Sequence, residues 1–165
     1  MTNEKTSKIS NKKWIEKKFL PKYTVETFKL TSSFDGHMVP GDFIYPKGQD
    51  KNRDTIIMVH GLGGNRYSNY QVAEFFLQNG YNVITYDQRS SNENTAKKTA
   101  FGYWEKFDLI DCIDYAKEIT NGKDIGVWGR SFGGATAVQA IAYKDTQNKV
   151  KWMILDCPVR ENIIT

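Results

Sequence analysis

Histidine is scarce in this 165-residue sequence, which has two, His37 and His60. Because imidazole is the side chain that ordinarily titrates near neutral pH, the search for a general base narrows to those two positions. Cysteine is equally rare: Cys112 and Cys157 lack the paired spacing of a metal site and are too few for a disulfide framework. Both read as packing residues in a reduced setting. No apolar run approaches the roughly 18 residues of a membrane helix, and Met1-Thr2-Asn3-Glu4-Lys5 has no apolar signal core. The expectation is a cytoplasmic protein needing neither metal nor cofactor.

What is present points to one globular unit: 39% of the residues are hydrophobic and 13% aromatic, enough to build a core in a chain of this length. The net charge of +4 is concentrated at one end, where residues 1–22 hold seven lysines against Glu4 and Glu16. We therefore divide the chain into a basic leader or helix, 1–22, and a core, 23–165. Lys12 to Leu20 has Trp14, Ile15 and Phe19 on one side and is ended by Pro21, so it reads as a short helix. Loose packing of that helix beside the sheet is preferred to contact with an anionic membrane surface, since three apolar residues bury too little to anchor a chain. No nucleic-acid module accompanies the basic residues.

The chemistry is concentrated in Gly129-Arg130-Ser131-Phe132-Gly133. The run Asp124 to Trp128 before it reads as a buried strand, and Ala135 to Ala142 after it reads as a helix. A Gly-x-Ser-x-Gly sequence in that setting is a nucleophile elbow: the serine sits at a strained turn, and Gly129 and Gly133 leave room for it. The same turn puts the Phe132 N–H and the positive end of the helix where an oxyanion would form. A glycine-rich turn without chemistry is the alternative, and the flanking strand and helix argue against it. Upstream, the apolar run Thr55 to Val59 enters His60-Gly61-Leu62-Gly63-Gly64-Asn65, a second glycine-rich loop at a strand end.

The rest of the core reads as alternating strands and helices. Tyr23–Leu30 and Met38–Tyr45 form a hairpin about Asp35-Gly36, with His37 in its turn and given no catalytic role. Helices follow over 69–78 and 104–120, strands over 81–87 and 149–155. In the second helix Phe107, Ile110, Ile113 and Tyr115 form the buried face, while Glu105, Lys106, Asp108, Asp111, Asp114, Lys117 and Glu118 form a solvated one. This order predicts an α/β fold with a mostly parallel, doubly covered sheet and a site at the carboxyl ends of its strands.

The two loop motifs, in this order, resemble those of the α/β-hydrolase superfamily. His60-Gly61-Leu62-Gly63-Gly64, Phe101-Gly102-Tyr103-Trp104-Glu105 and Leu155-Asp156-Cys157-Pro158 look like a branch of prolyl-oligopeptidase-like or acyl-esterase-like hydrolases. The resemblance implies that the hairpin's second strand opens the otherwise parallel set and that the strands of His60 and Ser131 are neighbours. It also implies a serine hydrolase of carboxylic esters, or of amides or peptides, acting through an acyl-enzyme on Ser131. The Leu62 and Phe132 N–H groups would form the oxyanion hole, and Asp87-Gln88-Arg89 would brace the site's rim. His60, Gly61, Gly63, Gly129 and Gly133 support these motifs.

One departure concerns the chemistry. The family supplies its base from a histidine late in the chain, and no histidine follows Ser131 here. His60 is expected to hold its loop rather than serve as base, and Asp156 reads equally as triad acid or as a residue lining the site. The expectation is a hydrolase sheet truncated after its sixth strand, lacking the late Asp and His and inactive alone. The alternative is a non-catalytic binding or interaction protein, partnered through the exposed sheet edge. Tyr67, Phe101, Tyr103 and Phe132 are expected to line an apolar substrate pocket.

Overall fold

The structure, a computed structural model, describes residues 11–156. Six strands form one sheet: β1 (Tyr23–Thr31), β2 (Met38–Pro46), β3 (Thr55–Val59), β4 (Asn82–Tyr86), β5 (Ile125–Arg130) and β6 (Trp152–Asp156). Their spatial order is β1-β2-β4-β3-β5-β6. From β4 to β6 all neighbours are parallel. β2 runs antiparallel to both β1 and β4, so the parallel set opens at β4 and not at the hairpin's second strand. β3 and β5 are neighbours, as the family resemblance implies.

β3 and β4 are buried along their whole lengths, which is why β3 reads as an apolar run rather than an alternation, while β4 buries Asn82 and Thr85 among its apolar residues. Successive residues still face opposite ways. Ile57 and Val59 join Phe43, Ile84 and Tyr86 under helices α3 (Glu105–Ile119) and α4 (Phe132–Ile141). Ile56 and Met58 join Ile44, Val83 and Trp128 on the other face, under α2 (Tyr70–Gln78) and the amino-terminal helix.

That amino-terminal helix is α1 (Lys12–Trp14), which passes directly into a π-helical turn, Ile15–Phe19. It is packed tightly, not loosely: Phe19 is fully buried, with ring centroids 4.6 Å from Tyr23 and 4.8 Å from Tyr70. The π-turn closes through the Leu20 N–H donating to the Ile15 carbonyl at 2.9 Å.

A third correction falls on α3. Its apolar face is Leu109, Cys112, Ile113 and Ala116, and two residues expected on the solvated face, Glu105 and Asp108, are buried instead. They are buried because each has partners at its end of the helix. Glu105 accepts two backbone N–H groups, and Asp108 accepts from Ser32 and lies against Arg89. Cys112 is a buried free thiol, and Cys157 lies outside the described residues. Among the described residues no helix is long and apolar enough to cross a membrane.

Candidate active site

β5 delivers Ser131 to a turn that a β-carbon-bearing residue rarely adopts. Its backbone has φ 52° and ψ −119°, and α4 begins at the next residue. The turn is held at both ends: the Ser131 N–H donates to the Asp156 carbonyl at 2.9 Å, and the Ser131 carbonyl accepts from Gly134 at 2.9 Å. Both flanking glycines are obligatory on steric grounds. A β-carbon on Gly133 would lie 2.1 Å from the Val59 carbonyl oxygen, and one on Gly129 would lie 2.7 Å from that of Gly133. The glycines therefore let the start of α4 pack directly on the ends of β3 and β5.

The Phe132 N–H, as the first of α4, has no partner within the helix and lies at the positive end of its dipole. Across from it runs the His60 loop. A β-carbon on Gly61 would sit 3.4 Å from the Ser131 β-carbon and 3.9 Å from its hydroxyl, ordinary van der Waals contact, so the loop runs directly beside the serine. Gly63 turns the loop with φ 76°, and Gly64 N–H closes it onto the Gly61 carbonyl at 3.1 Å. Leu62, at the crest, is exposed.

His60 holds this loop from beneath. Its Nε2 accepts the Gln88 backbone N–H at 2.9 Å, which leaves Nδ1 carrying the proton and donating to the Gly61 carbonyl at 2.7 Å. Burial drives the imidazole's pKa down to about 4, against a smaller opposing effect of the Gly61 carbonyl. With both nitrogens engaged by backbone, the ring is neutral at physiological pH and has no free lone pair for a serine proton.

Gln88, read from sequence only as part of the bracing Asp87-Gln88-Arg89 segment, has a role of its own. Its amide donates to the His60 carbonyl at 2.6 Å and accepts the Thr136 hydroxyl at 2.8 Å, all within the buried interior. One side chain thus joins the end of β4, the His60 loop and α4. Its partners lie 28 and 48 residues away, and a glutamine between an aspartate and an arginine gives no local sign of that role.

The residues flanking Gln88 brace the hairpin side of the site. Asp87 accepts the Arg66 backbone N–H at 2.8 Å and its guanidinium at 2.7 Å, and Arg66 also reaches Asp42 at 3.2 Å. Arg89 donates to Asp35 at 2.7 Å and lies 3.3 Å from Asp108. His37 sits in this group, against Asp35 and 3.2 Å from Asp108, away from the elbow.

Asp156 ends β6 beside Arg130, and the two form a solvent-exposed ion pair at 3.5 Å. The aromatics divide. Phe101 meets Phe132 with centroids 5.8 Å apart, and Phe101 and Tyr103 are exposed. Tyr67 is not with them: it packs against Arg66 and Tyr70 and lines a cavity of about 160 Å³ beneath the amino-terminal helix.

A family model described as alpha/beta hydrolase fold matches residues 54–164. The chain belongs to the α/β-hydrolase fold family. Among curated proteins, this α/β-hydrolase chain is 34% identical over 132 residues to the uncharacterized protein YqkD of Bacillus subtilis, covering 79% of this chain and 42% of that one. It is 27% identical over 135 residues to the quorum-quenching protein AidA of Acinetobacter baumannii, covering 78% and 43%. Among solved structures, the Pyrococcus furiosus esterase Pf2001 matches with a TM-score of 0.71 at 25% identity, over 82% of this chain and 53% of the esterase. The chain thus spans less than half the length of these two curated relatives.

Proposed function

We propose that this α/β-hydrolase acts on carboxylic esters or amides through an acyl-enzyme on Ser131. The observation that carries the reading is the positive-φ serine between β5 and α4, with Gly61 packed against it. In the proposed reaction Ser131 Oγ bonds to the acyl carbon while its proton passes to a base. The carbonyl oxygen, briefly anionic, lies between the N–H groups of Leu62 and Phe132. Collapse breaks the bond to the alcohol or amine, which leaves with a proton, and water then releases the acid. The base comes from outside the described residues, since His60 is committed to its loop and His37 to Asp35 and Asp108. Asp156 reads better as a lining residue than as the acid, because its carboxylate faces Arg130.

The engagement of both histidines elsewhere also supports a second reading, a non-catalytic binding protein on the same sheet. Covalent labelling separates the two. Incubation with a fluorophosphonate and peptide mapping should place a slowly formed adduct on Ser131, since the described residues supply no base; rapid labelling would contradict the missing base, and an unlabelled serine, on a chain that turns over no simple ester, would favour the second reading.

A further inference from the structure

The turn that carries Phe101 is built against the backbone's own preference. Phe101 holds φ at 50°, which a bulky residue rarely adopts, and Gly102 follows at 93°. Three contacts enforce it. Buried Glu105 accepts the N–H groups of Ala100 at 2.9 Å and Gly102 at 2.8 Å, and Gln139 of α4 donates to the Phe101 carbonyl at 3.1 Å. What this arrangement presents is a ring that remains 61% exposed, set edge-on to Phe132, the residue after Ser131. On the loop side, Leu62 follows Gly61, which lies beside Ser131, and is 70% exposed.

Backbone strain of this kind costs stability and persists where surrounding structure over-determines it, characteristically at ligand clamps. A ring needed only for packing would be buried by the turn that fixes it, and this one is not. We infer that Phe101 is a specificity-determining residue of the Ser131 site, recognising a medium-length alkyl chain on the acyl group. The inference rests on the reading of Ser131 as nucleophile. An alkyl chain of several carbons covers the exposed ring and gains apolar burial, whereas an acetyl group is too short to do so.

The test compares methyl and octyl fluorophosphonates on the full chain, with imidazole added as the base that the described residues do not supply. In each the Ser131 oxygen bonds to phosphorus, fluoride leaves, the hydroxyl proton passes to the imidazole, and the adduct is counted by intact mass. The quantity read is the ratio of octyl to methyl labelling rates. It should exceed one in the wild type, fall about tenfold in Phe101→Asn, and stay within about threefold in Phe101→Leu, as the loss or retention of one to two methylenes' worth of burial requires. Asparagine tolerates positive φ, so the unfolding midpoint of Phe101→Asn should hold or rise. An unchanged ratio in Phe101→Asn would overturn the inference, as would a lowered midpoint with the ratio intact, the mark of a ring that only packs. Equal labelling by both probes in the wild type would sink the inference alone, whereas labelling of Ser131 by neither would sink the nucleophile reading and the inference with it.

Discussion

At the His60 corner the buried polar atoms are matched by backbone groups and neutral side chains, whereas at the hairpin corner they are matched by charges. His60, Gln88 and Thr136 satisfy one another and the loop without a formal charge among them. A few residues away, Arg66 lies between Asp42 and Asp87, and Arg89 between Asp35 and Asp108. The difference follows from what each corner has to do. Beside Ser131 a buried carboxylate would oppose the negative charge of an oxyanion, so neutral partners leave the helix terminus and loop amides unopposed. At the hairpin the task is to fasten β1, β2 and α3 to the sheet, and ion pairs do that wherever both partners are in place. The exposed Arg130–Asp156 pair belongs to neither class, and screening leaves such pairs worth about 0–1 kcal/mol.

The sharpest way to break the comparison is to remove one charge from the hairpin corner. Arg66→Met strands Asp42 and Asp87 without their shared cation, and urea denaturation should show a loss of about 3–5 kcal/mol. The matching change at the neutral corner should cost less. Gln88→Met leaves the His60 carbonyl and Thr136 hydroxyl short of a partner but buries no lone charge, for about 1–3 kcal/mol by the same measurement. Equal losses at the two corners would contradict the distinction.

A pH titration of stability sharpens it further. The His60 pKa is depressed to about 4 by burial, so the unfolded chain takes up the proton first, and His60's contribution is lost as pH falls below about 6.5. Asp108 is raised to about 6, by burial more than Arg89 opposes it, so its folded form binds the proton first and its contribution is lost as pH rises through that value. Between about 4 and 6 the two slopes oppose one another. Asp108→Asn should unmask the histidine and steepen the loss of stability on acidification by about 1.4 kcal/mol per pH unit. Chemical denaturation at several pH values checks this, and an unaltered slope would contradict it.

Much of the architecture was legible in local pattern. β3 announces itself as a short apolar run because it is buried on both faces, and Gly129 and Gly133 mark the elbow because only their lack of a side chain lets α4 meet β3. The misses have a common cause. Asp108 and Glu105 look solvated on a helical wheel, since the wheel does not show a hairpin serine or a loop N–H arriving from elsewhere. Tyr67 stands two positions beyond the glycine loop, yet its ring turns to the amino-terminal helix because Arg66 is drawn inward by Asp42 and Asp87. The separate role of Gln88 within its bracing segment was hidden for the same reason: it is the meeting of three segments, and no one of them carries its signature.

The most direct test of the account is hydrolysis of a short-chain 4-nitrophenyl ester by a chain that includes the base-bearing histidine and by the same chain with Ser131→Ala. If Ser131 is the nucleophile, the variant should lose at least about a thousandfold in rate with its unfolding transition intact. Equal rates for the two proteins would mean that the elbow is a fold element without chemistry.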